Sequence, residues 1–229
     1  MKPDGPGPFA PTGGRPASSR PYDVVVLDFD GTLADSFGWF CSVLNGVADR
    51  YRFRRVGADE VEPLRRLGAR EILRHLGIPR WKVPFIARHM HGLAARDADM
   101  LHPFPGIPGM IADLAGTGVR LVILSSNRED VVRRVLGPES AGRIASWSCG
   151  ASVFGKARRL RRLVAAAQVS PGRVLCVGDE IRDAEAARTV GCAFGAVAWG
   201  YTDGHALAML APDHLFREPG EVAAAVGAG

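Results

Sequence analysis

Two aspartates, Asp28 and Asp30, stand two positions apart directly after the apolar run Val24–Leu27. A β-branched run of this kind is typical of a buried strand in a parallel sheet. Acids at the carboxyl end of such a strand lie in the crevice where open α/β sheets bind ligands. Gly31 then allows a tight turn, and Thr32 offers a hydroxyl and an amide to an anion. This stretch therefore predicts a site where two acids meet an anion cradle.

Four further polar residues stand at comparable positions along the chain. Ser125 follows a second apolar run, Lys156 begins a basic amphipathic helix, and Asp179 and Asp183 follow a third apolar run. Phosphoryl transfer from a monoester needs a nucleophile, a cation that offsets the phosphate charge, and a proton donor for the leaving oxygen. Acids, a hydroxyl and an ammonium group of the required types are therefore present.

The elements that must position these residues follow from hydrophobic periodicity. Strand patterns alternate with helix patterns, which predicts a doubly wound parallel α/β sheet. Between the first strand and the next α/β unit, residues 36–103 show helical periodicity with several Pro and Gly breaks and no evident strand. The strands are predicted at 23–27, 119–124, near 145–149, at 174–177 and at 193–198.

The motifs Asp28-Phe29-Asp30-Gly31-Thr32, Ser125, Lys156 and Gly178-Asp179-x-x-x-Asp183 resemble, in order and setting, the four motifs of the haloacid dehalogenase-like (HAD) superfamily. Three segments resemble connecting segments of its phosphoglycolate phosphatase-like branch: Phe104-Pro105-Gly106, Ser125-Ser126-Asn127 and Gly200-Tyr201-Thr202. The resemblance covers about residues 23–217. It implies a Rossmann-like HAD core at 22–35 and 104–229, with a small all-helical cap, residues 36–103, inserted after the first strand.

The resemblance also implies a role for each motif residue. Asp28 is expected to be the nucleophile that forms an aspartyl-phosphate, and Asp30 the acid that protonates the leaving alkoxide and later activates water. Ser125 and Lys156 are expected to hold the phosphoryl oxygens. An acid at the position of Asp30 favours phosphate esters over halides or phosphonates, because only the ester leaves as an alkoxide that needs a proton.

The same resemblance implies Mg²⁺, a hard cation that prefers oxygen ligands. The expected ligands are the carboxylates of Asp28 and Asp179 and the backbone carbonyl of Asp30, with Asp183 holding a metal-bound water. Substrate is expected to contact Thr32 and Ser126.

In the cap, Gly68-Ala69-Arg70 lies where related capped enzymes place a specificity loop, so Arg70 is the expected substrate contact. The cap carries 12 Arg and Lys against 7 Asp and Glu, a bias that attracts anions.

Three functions remain compatible with these motifs. The first is a Mg²⁺-dependent phosphatase acting on a small phosphorylated metabolite, such as a phosphoglycolate-like compound or a sugar phosphate. The second is a phosphosugar mutase similar to β-phosphoglucomutase, which shields its aspartyl-phosphate from water. The third is a non-catalytic module that binds phosphate ligands, which would be expected to have lost one of the chemical groups.

Composition and cysteine spacing limit the compartment and the kinds of partner that we expect. The chain has 229 residues and a net charge of +5. No apolar run approaches the ~20 residues that cross a membrane, no nucleic-acid-binding motif is evident, and the four cysteines are scattered, which is typical of a reducing compartment. We expect a cytoplasmic monomer or homodimer whose partner is a small anionic phosphate ester, with neither nucleic acid nor membrane as a partner.

Some residues near the motifs have simpler interpretations. Residues 1–21 are rich in Pro and Gly and are predicted to be a disordered tail. Ser36, with Asp35, is expected to cap the helix that follows. In the basic helix that begins at Lys156, only Lys156 is expected to face the site, and the arginines are expected to be solvated.

Overall fold

The computed structural model describes residues 21–150 and 155–227, so most of the predicted tail, residues 1–20, lies outside the described residues. The described residues form eight strands: β1 (Val24–Leu27), β2 (Ala34–Asp35), β3 (His102–Pro103), β4 (Arg120–Leu124), β5 (Ser146–Ser148), β6 (Val174–Gly178), β7 (Ala193–Val197) and β8 (His214–Phe216).

Ten α-helices lie within the same described ranges. They are α1 (Phe37–Tyr51), α2 (Val61–Leu64), α3 (Ala69–His75), α4 (Val83–Arg96), α5 (Ile107–Gly116), α6 (Glu129–Gly142), α7 (Lys156–Ala167), α8 (Ile181–Val190), α9 (Gly204–Ala208) and α10 (Pro219–Gly227). In the part of the chain that the structure describes, no helix is both long enough and apolar enough to cross a membrane.

Six strands form one parallel sheet in the order β5-β4-β1-β6-β7-β8. The prediction of a doubly wound parallel sheet is confirmed. The central strand β1 pairs with β4 on one side and with β6 on the other, so that Leu27 lies opposite Ile123 and Val177. The carboxyl ends of β4, β1 and β6 therefore lie side by side, and the polar motif residues follow these ends.

Apolar side chains cover both faces of the sheet. On one face, helices α5, α6 and α10 pack on the side chains of Val25, Leu27 and their neighbours. On the other face, α7 and α8 pack on Val24, Val26 and Cys176. Burial on both faces explains why the strands appear in the sequence as continuous apolar runs without alternation.

The helical cap, also predicted, lies between β2 and β3. These two short strands pair antiparallel, with Ala34 opposite Pro103 and Asp35 opposite His102, so the chain enters and leaves the cap through one two-stranded connection. A small core of the cap forms around Leu76, Ile78 and Val83. The division at residues 36 and 103 remains a prediction.

Two elements differ from the sequence prediction. The segment His214–Phe216 is the edge strand β8, although three residues are too few for a period-2 pattern to appear. The sequence pattern predicts a helix over 129–136, whereas helix α6 extends to Gly142. The helix continues past a break at Gly137, whose φ is 73°, and past Pro138.

Candidate active site

The turn after β1 brings the first motif back onto the sheet edge. Phe29 is fully buried. Its carbonyl accepts hydrogen bonds from the amides of Leu33 and Ala34, which hold the turn in place. Gly31 has a φ of +76°, and a Cβ at this position would lie 2.2 Å from Oδ2 of Asp179. The turn therefore needs glycine both for its conformation and for the close approach of Asp179.

Lys156, the first residue of α7, joins two of the motif acids. Its Nζ lies 2.9 Å from Oδ1 of Asp28 and 2.6 Å from Oδ1 of Asp183. Burial acts to lower the pKa of the Lys156 ammonium, but Asp183 and Asp28 outweigh burial, so this pKa is raised. Lys156 therefore stays charged in the interior of the site.

Asp28, Asp179 and Asp183 form one buried acidic cluster. Each offers a carboxylate oxygen, and these oxygens lie within 4.8 Å of one another. Burial raises the pKa of Asp28, and Lys156 opposes this shift. Burial also raises the pKa of Asp179, with repulsion from neighbouring acids adding to the shift. Keeping Asp28 and Asp179 ionised therefore costs free energy, which a bound cation would reduce.

The acidic cluster fits a divalent cation by charge and by ligand type. Three carboxylates face one ammonium group, so the cluster has a formal charge of −2 when its acids are ionised. Carboxylate oxygens are the ligands that Mg²⁺ prefers. Asp179 is held in place by the Thr32 hydroxyl, which donates to its Oδ1 over 2.7 Å, and by the Tyr201 amide, which donates to its Oδ2 over 2.8 Å.

Asp30 has partners of its own, separate from Lys156. The Ser36 hydroxyl donates to its Oδ1 over 3.1 Å, and the Asn127 side-chain amide approaches its two oxygens at 3.3 and 3.4 Å. Burial, with the charge of Asp28, raises the pKa of Asp30 to about 6. A carboxyl group with a pKa near neutrality can both donate and accept a proton at physiological pH.

Two of these partners, Ser36 and Asn127, were not predicted from the sequence. Ser36 occupies the N-cap position of α1, but its hydroxyl makes no capping hydrogen bond, so its expected role as a side-chain cap is wrong. Asn127 belongs to a segment that resembles the family, but no role of its own was predicted for it, although it follows directly after the two serines at the end of β4. The signal in the sequence was a third polar residue directly after Ser125 and Ser126, at the end of an apolar run.

Ser125 and Ser126 directly follow β4, the strand that pairs with β1. Ser125 is buried, and its Oγ accepts a hydrogen bond from the Asn127 amide over 2.9 Å. Ser126 is half-buried. The Arg159 guanidinium donates to the Ser125 carbonyl over 3.1 Å and to the Ser148 hydroxyl over 3.0 Å. The expectation that every arginine of α7 is solvated is therefore wrong for Arg159, which holds the serine loop.

A cleft of about 500 Å³ opens between the cap and the core beside Lys156. Arg70 and Arg74 of α3 line it from the cap, and Arg182 of α8 lines it from the core. Arg182 forms an ion pair with Glu180, the acid that directly follows Asp179. The charge of Glu180 is therefore offset by Arg182. Arg70, the expected substrate contact, thus shares a cleft with Lys156.

A family model described as haloacid dehalogenase-like hydrolase matches residues 25–197. The chain is 32% identical to a phosphoglycolate phosphatase of Synechococcus elongatus over 204 residues, which cover 89% of this chain and 96% of that protein. It is 29% identical to the tyrosine-protein kinase PtkA of Mycobacterium bovis, covering 78% of this chain and 62% of PtkA. The crystal structure of CbbY from Rhodobacter sphaeroides in complex with phosphate matches the fold with a TM-score of 0.69, at 20% identity, covering 90% of this chain and 99% of CbbY.

Proposed function

We propose that this chain, which belongs to the haloacid dehalogenase-like hydrolases, uses Asp28 to hydrolyse a small phosphorylated metabolite in the presence of Mg²⁺. That it is a hydrolase of phosphate esters follows from its relatives, and the resemblance inferred from its motifs is confirmed. The catalytic residues, the metal and the substrate are proposed.

The observation that carries the proposal is the contact of Lys156 with both Asp28 and Asp183 at the edge of the sheet. A carboxylate beside a fixed ammonium group is suited to attack phosphorus, because the ammonium offsets negative charge on the phosphoryl oxygens as it develops. Asp28 would form the aspartyl-phosphate. Lys156 and Ser125 would hold the transferred oxygens, and Thr32 and Ser126 would contribute further donors near them.

Asp30 is suited to the two proton transfers. The leaving alkoxide must be protonated as the bond to phosphorus breaks, and the water that later attacks the aspartyl-phosphate must lose a proton. Its pKa of about 6 suits a group that changes role between these steps. The hydrogen bonds from Ser36 and Asn127 hold its carboxyl group in one orientation.

The acidic cluster of Asp28, Asp179 and Asp183 would hold Mg²⁺, with Asp183 acting through a metal-bound water and the backbone carbonyl of Asp30 as a further ligand. The −2 formal charge and the raised pKa values of Asp28 and Asp179 support a divalent cation at this place. When bound, Mg²⁺ reduces the repulsion between the Asp28 carboxylate and the phosphate dianion.

The substrate is proposed to be a small anionic ester, with 2-phosphoglycolate as the first candidate. Its support is the Synechococcus relative, which spans nearly the whole chain, together with the cleft beside Lys156 in which Arg70 and Arg74 add positive charge on the cap side. Arg70 is proposed to contact the part of the substrate that leaves.

The test is phosphate release from p-nitrophenyl phosphate with and without Mg²⁺, for wild type and Asp28→Asn. We expect wild type to be active only with Mg²⁺, and the variant to lose activity by at least about 10³-fold, because an amide cannot serve as the nucleophile. Equal activity of the two proteins would contradict the proposal. A panel of about a hundred phosphate esters, with 2-phosphoglycolate included, would then identify the substrate.

A further inference from the structure

Arg65, at the end of α2 in the cap, is bonded to the core. Its Nε donates to the Tyr201 carbonyl over 2.9 Å, and its Nη2 donates to the Gly200 carbonyl over 3.0 Å. The Arg65 carbonyl in turn accepts a hydrogen bond from the Asp203 amide over 2.9 Å. One cap residue thus makes three hydrogen bonds to the loop that follows β7.

The Gly200-Tyr201 loop lies directly against the acidic cluster. The Tyr201 amide donates to Asp179, as described above. Gly200 packs so closely on the same acid that a Cβ there would lie 2.2 Å from Cβ of Asp179. A displacement of this loop would therefore remove a hydrogen bond and a packing contact from Asp179.

The Tyr201 side chain reaches the acid/base group by a second route. Its hydroxyl lies 2.9 Å from Oγ of Ser36, and that serine donates to Asp30. Because the Ser36 hydroxyl has a single proton to donate, a Tyr201 hydroxyl that donates to Ser36 leaves that proton directed at Asp30. Tyr201 therefore determines how Ser36 is oriented.

Aromatic packing connects the same loop to the first cap helix. The Tyr201 ring lies 5.1 Å from the ring of Phe37 and 5.6 Å from the ring of Phe40, measured between centroids. The Arg65 guanidinium lies 5.1 Å from the centroid of the Phe37 ring. Arg65, Phe37, Phe40 and Tyr201 thus form one interlocked contact between cap and core, which we call the cap clamp.

We propose that Tyr201 is a positioning residue for Asp30 and Asp179, and that Arg65 is the cap residue that holds Tyr201 in place. The acid/base group is then oriented only when the cap is seated on the core. The inference rests on the proposed function, since it concerns the same site, and it extends that function to two residues that do not touch the reacting atoms.

The test uses two substrates that differ in their need for an acid. Phenyl phosphate releases a weakly acidic phenol and depends on protonation of the leaving oxygen, whereas p-nitrophenyl phosphate releases a stable anion and depends on it little. The value kcat/KM reports the steps up to departure of the phenol. A defect confined to Asp30 orientation therefore lowers kcat/KM for phenyl phosphate selectively.

For Tyr201→Phe, which keeps the ring and removes the hydroxyl, we expect kcat/KM to fall about 10-fold on phenyl phosphate and no more than about 2-fold on p-nitrophenyl phosphate. Arg65→Ala should change the ratio of the two values in the same direction. The double variant should show less than the product of the single effects, because both residues act through one loop.

Two matched controls separate the cap clamp from general effects. Tyr51→Phe removes the hydroxyl of a tyrosine in the cap, and this hydroxyl donates only to the Phe85 carbonyl at 3.3 Å among the described contacts. Glu62→Gln removes the exposed ion pair of Arg65 but leaves its bonds to the core. Both controls should keep the wild-type ratio.

If wild type is active, and Tyr201→Phe and Arg65→Ala keep the wild-type ratio of kcat/KM between the two substrates, the cap-clamp inference is overturned and the proposed function is not. If Arg65→Ala does not fold, the result for Tyr201→Phe decides. A wild type that hydrolyses neither ester with Mg²⁺ overturns the proposed function, and the inference with it.

Discussion

At the scale of single residues, Lys156 is the cation on which the acid arrangement depends. It begins a helix, where the positive end of the helix dipole disfavours a cation, yet it is paired with two buried carboxylates. This local conflict between helix position and charge marks a residue placed for chemistry. The fold brings these two partners to Lys156, because Asp28 follows β1 and Asp183 lies in α8.

Replacing Lys156 should therefore lower stability as well as activity. Lys156→Met keeps much of the aliphatic length but leaves Asp28 and Asp183 buried without their cation, so we expect the metal-free protein to lose about 3 kcal/mol of unfolding free energy. Urea denaturation without Mg²⁺ measures this loss. The control Arg158→Met changes an exposed residue of the same helix and should cost no more than about 0.5 kcal/mol; equal losses in both variants would contradict the buried ion network.

At the scale of elements, the site depends on how closely backbone segments approach one another. The ends of β1, β4 and β6 lie side by side because their strands pair in register, which explains why motifs far apart in sequence converge. The sequence pattern predicted this convergence, since alternating strands and helices imply a parallel sheet. It could not predict that the loop after β7 closes over Asp179, because no local pattern reports the approach of two loops.

The close approach at Gly200 leads to a prediction. Gly200→Ala would place a Cβ 2.4 Å from the Gly31 carbonyl oxygen as well as against Asp179, so we expect a loss of about 1–3 kcal/mol from overpacking and a fall in kcat. Thermal denaturation and phosphate release measure the two effects.

The matched control is Gly46→Ala, in the middle of α1, where no atom lies within 4 Å of the added Cβ. This variant should gain about 0.5–1 kcal/mol, because alanine loses less backbone entropy than glycine in a helix. A Gly200→Ala protein as stable and active as wild type would show that the loop has room to move away from Asp179.

At the scale of the whole molecule, stability and function oppose each other in the acidic cluster. Burial and neighbouring acids raise the pKa of Asp179, so at pH 7 the folded metal-free protein bears a cost for its ionised form that the unfolded chain does not. Charged clusters of this kind are retained where binding requires them, at the expense of stability.

This opposition predicts how a metal changes the melting temperature. Under the proposed function Mg²⁺ binds only the folded state, so it should raise the Tm of wild type at pH 7. Asp179→Asn should melt higher than wild type without Mg²⁺, by about 2–4 °C for each kcal/mol of relieved repulsion, and should lose most of the Mg²⁺-induced increase. Differential scanning calorimetry with and without Mg²⁺ tests both effects. A variant that melts lower than wild type without metal would contradict the electrostatic argument.

The sequence by itself determined the residue types on which the proposed chemistry rests, because Asp28, Asp30 and Lys156 stand at strand and helix ends whose patterns are local. It also determined the sheet and the cap, since periodicity extends over whole elements. Only the tertiary structure decided which side chains orient the acids. Asn127 meets Asp30 across 97 positions and Tyr201 meets Ser36 across 165, contacts that depend on strand order and on the seating of the cap. Such contacts leave no periodic signal in a sequence, and for that reason the supporting residues of the site were found in the fold.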